Sequence, residues 1–506
     1  MKKSILLVIT SFLMSNVNAQ DFTDALRFSK DEIDGTARFK AMGGAFGALG
    51  GDLSAVSINP ASSAIFNSST ASFTLGLNTI NNDVNYFGGL QSTSEDNFNL
   101  SQGGGVFVYA SNNPNTKWNK FSLGVAYDRT GNFDDNWVAN GVNPDTSIAE
   151  YFRGYAQGLP LDEISAFPGE SLNEAYIDIG SVSGFEHQQG FLGYESFLIE
   201  PEIDTDNNTQ YNNNVVGGNY SQRYSLASSG YNGKMAFNFA AQYDEKFNIG
   251  LNINAHFLDY NRVTIFDESN SNASSTVSRV AFDNTLRTTG TGISFQIGSI
   301  YKLTKEFRVG FTYNSPTWFR VTDETTQFLQ TTVDGFDDPI VINPNIISIF
   351  PEYKLRTPGK VTGSLAYVFE DKGLLSFDYS RKDFGESIFR PTDDPFFAFR
   401  NNEISNLLGV SNTYRLGGEY RYRGFSFRGG YRFEESPFND EIFGGDLTTY
   451  SLGLGYKIGD FAIDVAFSQS QREQSEFLYS DAPTFNETAS IDSKITDVVL
   501  TLSFGI

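Results

Sequence analysis

The stretch TDVVLTLSFGI, Thr496–Ile506, sets Val498, Leu500, Leu502, Phe504 and Ile506 on one face of an extended chain. Asp497, Thr501, Ser503 and Gly505 fall on the other face, and Val499 is the one apolar exception. Side chains of a strand point alternately to its two faces, so a period of two sustained this long predicts a β-strand. The same alternation recurs in FAIDVAF (Phe461–Phe467), YSLGLGY (Tyr450–Tyr456), FRVGFTY (Phe307–Tyr313), FNIGLNI (Phe247–Ile253) and FSLGVAY (Phe121–Tyr127). In all, about fourteen strands are predicted, near 70–80, 102–111, 118–130, 230–244, 246–260, 280–302, 305–322, 353–369, 373–386, 410–422, 425–436, 446–457, 460–472 and 494–506.

A soluble sandwich alternates too, so the connections decide. Tight turns are carried by SNNPNTKW, YDEKFN, YKLTKEF, FEDKGLL, YRYRGF and YKIGDF. Between them long loops are expected at 80–102, 129–229, 260–280, 322–352, 386–410, 436–446 and 472–494. Short turns at one end and long loops at the other are the asymmetry of a bacterial transmembrane barrel. Closing the sheet satisfies every backbone N–H and C=O, the condition for crossing lipid. The fold expected is therefore all-β, a 14-stranded antiparallel transmembrane β-barrel, apolar outside and polar inside. An even strand count returns both ends of the wall to the periplasmic side. A wall of this size encloses more space than its own side chains fill, so the lumen needs an occupant.

Composition agrees. The 506 residues contain no cysteine, 47 Phe, 25 Tyr and 48 Gly, with a net charge of -24, and the mean hydropathy is -0.29. Such a charge argues against nucleic acid, whose phosphates need clustered Lys and Arg. The opening MKKSILLVITSFLMSNVNAQ has Lys2 and Lys3, an apolar run from about Ile5 to Met14 and small residues before Gln20, which predicts a signal peptide over 1–19. No later stretch approaches the roughly 18 apolar residues of a spanning helix.

The candidate occupant of the lumen is AMGGAFGALGGDLSAVSINPASSAIF, Ala41–Phe66. It lacks the Lys and the glycine spacing of a phosphate loop. Small residues including Gly43, Gly44 and Gly47 let its backbone pack closely, while Met42, Phe46 and Leu49 fill gaps. Asn59 before Pro60 disfavours helix and sets a bend ahead of Ala61. Residues 20–69 are thus expected to be a hatch and 70–506 the barrel, with 129–229 a large extracellular region. In that region TSIAEYFRGYAQG places Ile148, Tyr151, Phe152 and Tyr155 at helical spacing, a face for packing on the barrel mouth or for a ligand groove. SLNEAYIDIG is expected to form a further short helix, and DTDNNTQYNNN to be mobile.

The segment DALRFSKDEIDGTARFKAMGGAFGALGGDLSAVSINPASSAIF, Asp24–Phe66, ahead of a fourteen-strand pattern, resembles the FadL family of outer-membrane transporters in the form common among Bacteroidetes. Members sometimes carry a hemin-receptor label; others take up long-chain fatty acids or aromatic hydrocarbons. The resemblance implies an N-terminal hatch inside the barrel, with gating structure at Gly43, Gly44, Phe46, Gly47, Asn59, Pro60 and Ala61. It further implies passive passage of a hydrophobic small molecule, with exit sideways through a kink in the wall. The partners expected are that substrate and outer-membrane lipid, around a Gram-negative, monomeric barrel without a cofactor. The family's outer groove is built largely from its third and fourth outside loops, whereas here the second is longest, so that site transfers poorly.

YRLGGEYRYRGFSFRGGYRF, Tyr414–Phe433, is the sharpest local feature. A two-residue turn at Arg423-Gly424 pairs Glu419 with Arg428 and sets Arg415 opposite Arg432 on the lumen side. Two facing guanidinium groups are either neutralised, by Asp378 or a hatch carboxylate, or they anchor a substrate carboxylate through bidentate forks. Candidate substrate contacts are therefore Arg415, Arg428, Arg432, Tyr151, Phe152 and Tyr155. A hemin receptor would use His256 or His187 as iron ligand, whereas the bland alternative is an ordinary hydrogen-bonding role. No metal site is expected. A barrel enzyme would want a Ser or Asp near His at the lipid-facing surface, but His256 points inward by parity, so no catalysis is expected. A non-transporting partner of a secretion system is the remaining alternative.

Overall fold

The computed structural model describes residues 20–113, 116–440, 443–480 and 482–506; the predicted signal peptide lies outside them. The chain opens with helices α1 (Phe22–Ser29), α2 (Ala37–Ala41) and α3 (Ala55–Ile58), and a 3-10 helix over Pro60–Ile65. Then come strands β1 (Thr70–Tyr86), β2 (Gly89–Ala110), β3 (Trp118–Asn132) and β4 (Asp135–Asn143). An outer segment follows, with α4 (Ala149–Ala156), α5 (Leu172–Val182), α6 (Phe185–Glu195), β5 (Ile199–Pro201) and β6 (Tyr211–Asn213). The wall resumes with β7 (Tyr220–Tyr243), β8 (Phe247–Ser269), β9 (Val277–Lys302), β10 (Phe307–Asn314) and β11 (Trp318–Val333). After the short β12 (Ile340–Ile342) and β13 (Ser348–Ile349) come β14 (Tyr353–Arg356), β15 (Lys360–Phe369), β16 (Gly373–Asp383), β17 (Ile388–Arg390) and α7 (Pro395–Leu407). It ends with β18 (Val410–Tyr422), β19 (Phe425–Glu434), β20 (Leu447–Ile458), β21 (Phe461–Phe477) and β22 (Thr488–Gly505).

Antiparallel pairing runs round the cylinder and closes where β1 meets β22, from Thr70 opposite Gly505 to Asn85 opposite Ser490. The wall has fourteen positions. Some are filled by broken strands: β10 and β11 are parted by Ser315-Pro316-Thr317, and the neighbouring β14 and β15 by Thr357-Pro358-Gly359. Proline cannot donate to the ladder, so pairing stops and restarts there.

Each strand changes character along its length. On β8 the outward side chains Ile249, Leu251, Ile253 and Phe257 are exposed, while Asn248, Asn252 and Asn254 are buried inside. The outward apolar run Phe247–Phe257 suits the roughly 9–11 residues with which a tilted strand spans a bilayer. Beyond it the inward face turns apolar, with Leu258, Tyr260 and Phe266 buried inside, while outward positions mix Asp259 and Asn261 with Val263 and Ile265. The change explains a correction: residues 80–102, expected as a loop, are strand on both sides of a two-residue turn at Phe87-Gly88. Both turn residues have positive φ, 45° and 81°, as a hairpin turn matched to strand twist requires. Outward Asn81, Asp83 and Asn85 read as loop, yet the inward Ile80, Val84 and Tyr86 are buried. Likewise β8 and β9 extend through much of 260–280, and β11 continues to Val333.

The outer segment packs on the barrel mouth in one apolar cluster that includes Trp137, Phe152, Phe191, Phe266, Phe282 and Phe485. The predicted helices form as α4 and α5. Helix α6 was not foreseen, because FEHQQGFLGYE carries no apolar stripe; its contiguous Gln188–Gly193 are all buried. The expectation of mobility across DTDNNTQYNNN is corrected too. Tyr211–Asn213 pairs with Ile199–Pro201, and the buried Tyr211 hydroxyl donates to the Leu159 carbonyl at 2.8 Å.

Candidate functional site: a corked lumen with two cavities

Residues 20–66 fill the barrel. Helix α1 starts with a capping box, the Asp21 carboxylate accepting from the Thr23 and Asp24 backbone. Its Phe22, Leu26 and Phe28 pack against wall residues Leu258, Tyr260, Leu286 and Phe319. From its end, residues 30–34 form a beam between two sides of the wall. On one side the Asp31 carboxylate meets the ammonium groups of Lys360 and Lys382 at 2.8 and 3.1 Å. On the other, the Glu32 backbone N–H donates to the Thr130 carbonyl at 2.9 Å, and Arg129 bonds Asp34 at 3.0 Å. Enclosure in the lumen disfavours ionised Asp31, whose side chain still opens onto the cavities, but the two lysines outweigh it and hold its carboxyl well below the usual carboxylate range.

The glycine-rich stretch is pressed onto the wall. Gly43 and Gly44 take φ of 60° and 76°, accessible to glycine at little steric cost. The backbone N–H groups of Phe46 and Gly47 both donate to the Asp378 carboxylate, at 3.0 Å each. The buried Asn59 amide donates to the carbonyls of Gly47 and Ser299 at 2.7 and 3.0 Å. Its side-chain oxygen accepts from the Ala61 N–H at 3.1 Å, capping the 3-10 helix that Pro60 opens. The wall answers with inward glycines. A Cβ on Gly250 would lie 2.3 Å from Pro60 carbonyl carbon, on Gly310 2.3 Å from Gly47 oxygen, and on Gly430 2.3 Å from Gly43 nitrogen. Each occupies an inward position of an alternating strand, a signal visible in the sequence and not used.

Between α1, the beam and the outer segment lies a cavity of about 420 Å³. Phe22, Leu26, Tyr151, Tyr224, Phe477 and Tyr479 give it apolar and aromatic walls. Lys30 and Arg262 also line it, and neither side chain makes an ion pair or hydrogen bond with another described residue. A second cavity of about 60 Å³ lies nearer the tight-turn end, lined by Lys234, Asn254, His256, Ser315, Pro358 and the Lys360–Lys382 pair. Asp31 borders both.

The predicted arginine register forms as expected, with Glu419 opposite Arg428 and Arg415 opposite Arg432. Arg428 is engaged by Glu419 and Asp464 at 2.7 and 2.5 Å, so its charge is already matched within the wall. Arg432 bonds Glu434 of its own strand and lines the larger cavity. Arg415 lines neither cavity, and Asp378, which it faces, is used by the hatch N–H groups. Neither neutraliser expected for the arginine pair serves Arg432. Of the α4 residues, Phe152 is wholly buried in packing, Tyr151 lines the larger cavity, and Tyr155 stacks edge-on against Phe185. The histidines lie apart: His256 bonds Ser294 at 2.9 Å, His187 bonds Glu163 at 3.0 Å, and neither lines the larger cavity. Among the described residues no group of His, Cys, Asp and Glu is placed to hold a metal ion. Lys30, Asp31 and Arg262 went unnoticed because each is one charged residue in an otherwise unexceptional run.

The sequence pattern of the family described as "Outer membrane protein transport protein (OMPP1/FadL/TodX)" matches residues 204–505. The chain belongs to this family. No curated protein matches it. Among solved structures, this FadL-family chain is similar to a Pseudomonas aeruginosa FadL homologue at 12% identity, covering 94% of this chain and 99% of that one, with a TM-score of 0.53. The P. putida toluene transporter TodX is 14% identical, with coverages of 94% and 99% and a TM-score of 0.51. The Ralstonia pickettii toluene transporter TbuX is 15% identical, with coverages of 94% and 98% and a TM-score of 0.50. At these identities the likeness establishes a shared fold, the hatch-filled outer-membrane barrel.

Proposed function

We propose that this protein lets hydrophobic small molecules with an anionic head, long-chain fatty acids foremost, cross the outer membrane passively. The observation that carries the reading is the larger cavity, apolar over much of its wall yet furnished with two cations, Lys30 and Arg262, whose side chains make no direct ion pair with a described carboxylate. The nearest acids, Asp21 and Asp24 for Arg262 and Glu434 and Glu476 for Lys30, act on them only at longer range. Apolar walls favour a hydrocarbon tail by removing it from water. A buried cation favours a carboxylate head through a charge-assisted hydrogen bond. Toluene transport by TodX and TbuX supports a hydrophobic cargo.

Residues 20–69 act as the hatch of a barrel formed by 70–506, and displacement of the beam opens a way inward. Release is sideways, at a place where wall pairing is interrupted, such as the adjoining breaks at Pro316 and Pro358. Purified protein in liposomes tests the proposal: influx of laurate and of a small hydrocarbon should exceed that of empty liposomes. Failure to speed any hydrophobic compound overturns the reading and leaves a non-transporting scaffold.

A further inference from the structure

We propose that the smaller, polar cavity is an inner site for the anionic head of the cargo, and that Asp31 keeps it shut by standing in for that head. The inference rests on the transport reading above and adds to it a site and the residue that closes it. Three observations converge on Asp31.

Position comes first. Asp31 is the acidic residue bordering both cavities, so a molecule leaving the larger one toward the tight-turn end meets this carboxylate at the boundary.

The second is charge. Lys360 and Lys382 face each other across neighbouring strands and share one carboxylate, that of Asp31. Lys382 also donates to the Ser29 carbonyl. Across the cavity Lys234 is 9% exposed and its ammonium group makes no ion pair or hydrogen bond with a described residue; Asp128 lies opposite it on β3. The His256 Nδ1 and the Asn254 and Asn232 amide oxygens are buried there without partners. Three ammonium groups meet two carboxylates there, Asp31 and Asp128, and imidazole and amide groups can turn N–H toward an anion.

The third is mechanical. The beam is moored by Asp31 on β15 and β16, and by Glu32 and Asp34 on β3. Withdrawing Asp31 alone would leave two half-buried ammonium groups facing each other without their shared carboxylate, which is costly. Exchange for an incoming carboxylate leaves the charge balance unchanged, so the cargo releases one mooring while the other holds. The space then gained adjoins the Pro316 and Pro358 breaks, because Ser315, Thr317, Thr357 and Pro358 line it.

The experiment compares laurate and methyl laurate binding, by titration calorimetry, to detergent-solubilised protein and to Asp31→Asn. Laurate should bind Asp31→Asn roughly tenfold more tightly, as expected when a charged competitor is removed, and the uncharged ester should not change. Adding Lys360→Gln and Lys382→Gln should abolish the gain. The proposal is overturned by equal laurate affinity in Asp31→Asn that retains heat-modifiable barrel mobility on gels, and equally by a matching gain for the ester, which reports loosening. Hydrocarbon influx in liposomes, unaffected by head-group charge, tests the transport reading separately.

Discussion

Asn59 makes three attachments with one side chain: it caps the turn that Pro60 opens, holds the glycine-rich run through Gly47, and reaches the wall at Ser299. Replacing it with Ala leaves the buried Gly47 carbonyl and the Ala61 N–H without their side-chain partner, each costing about 1–3 kcal/mol, and removes the bond to Ser299. Limited proteolysis should then cut residues 20–66 in Asn59→Ala, whereas the parent hatch should resist. At the cavity, Arg262→Gln and Lys30→Gln should each weaken laurate binding about tenfold and leave dodecanol binding unaltered; calorimetry distinguishes the two ligands. The bend at Asn59 was legible because Asn-Pro has a fixed local meaning. Lys30, Asp31 and Arg262 were not, since a lone charge acquires its role only from what the fold places opposite it. Arg428 shows the converse: its register was legible, but its second carboxylate, Asp464, sits three strands away from Glu419.

At the scale of elements, the strands within the bilayer were legible because lipid outside and polar groups inside enforce strict alternation. Above the bilayer, water replaces lipid and the outer segment fills the mouth, so the rule no longer holds and β1–β2 was mistaken for a loop. Helix α6, buried along Gln188–Gly193 by its neighbours, has no period to detect. The inward glycines make a sharper test of fit between elements. In Gly430→Ala the new Cβ would lie 2.3 Å from the Gly43 nitrogen, an overpacking that costs about 1–3 kcal/mol. That strain is expected to move the hatch and not the wall, because the wall is held by continuous ladders. Planar-bilayer recordings should therefore show channel events in Gly430→Ala. Gly363→Ala, where a Cβ meets nothing within 4 Å, should remain silent.

For the whole molecule, cylinder and cork are held by different forces. Backbone pairing closes the wall at β1 and β22 without any hatch residue, whereas the hatch is kept by packing, Asp378, Asn59 and the beam. Removal of residues 20–66 should leave a folded barrel with steady, large conductance and should sensitise cells to bulky antibiotics that the intact protein excludes. The seam has a consequence for biogenesis as well. Residues 20–66 finish enclosed by a ring whose last join is made by Thr488–Gly505, so they must be tucked in while that ring still gapes. Insertion machinery therefore has to tolerate a stuffed, unsealed precursor, and a misplaced hatch would first be felt as stalled maturation.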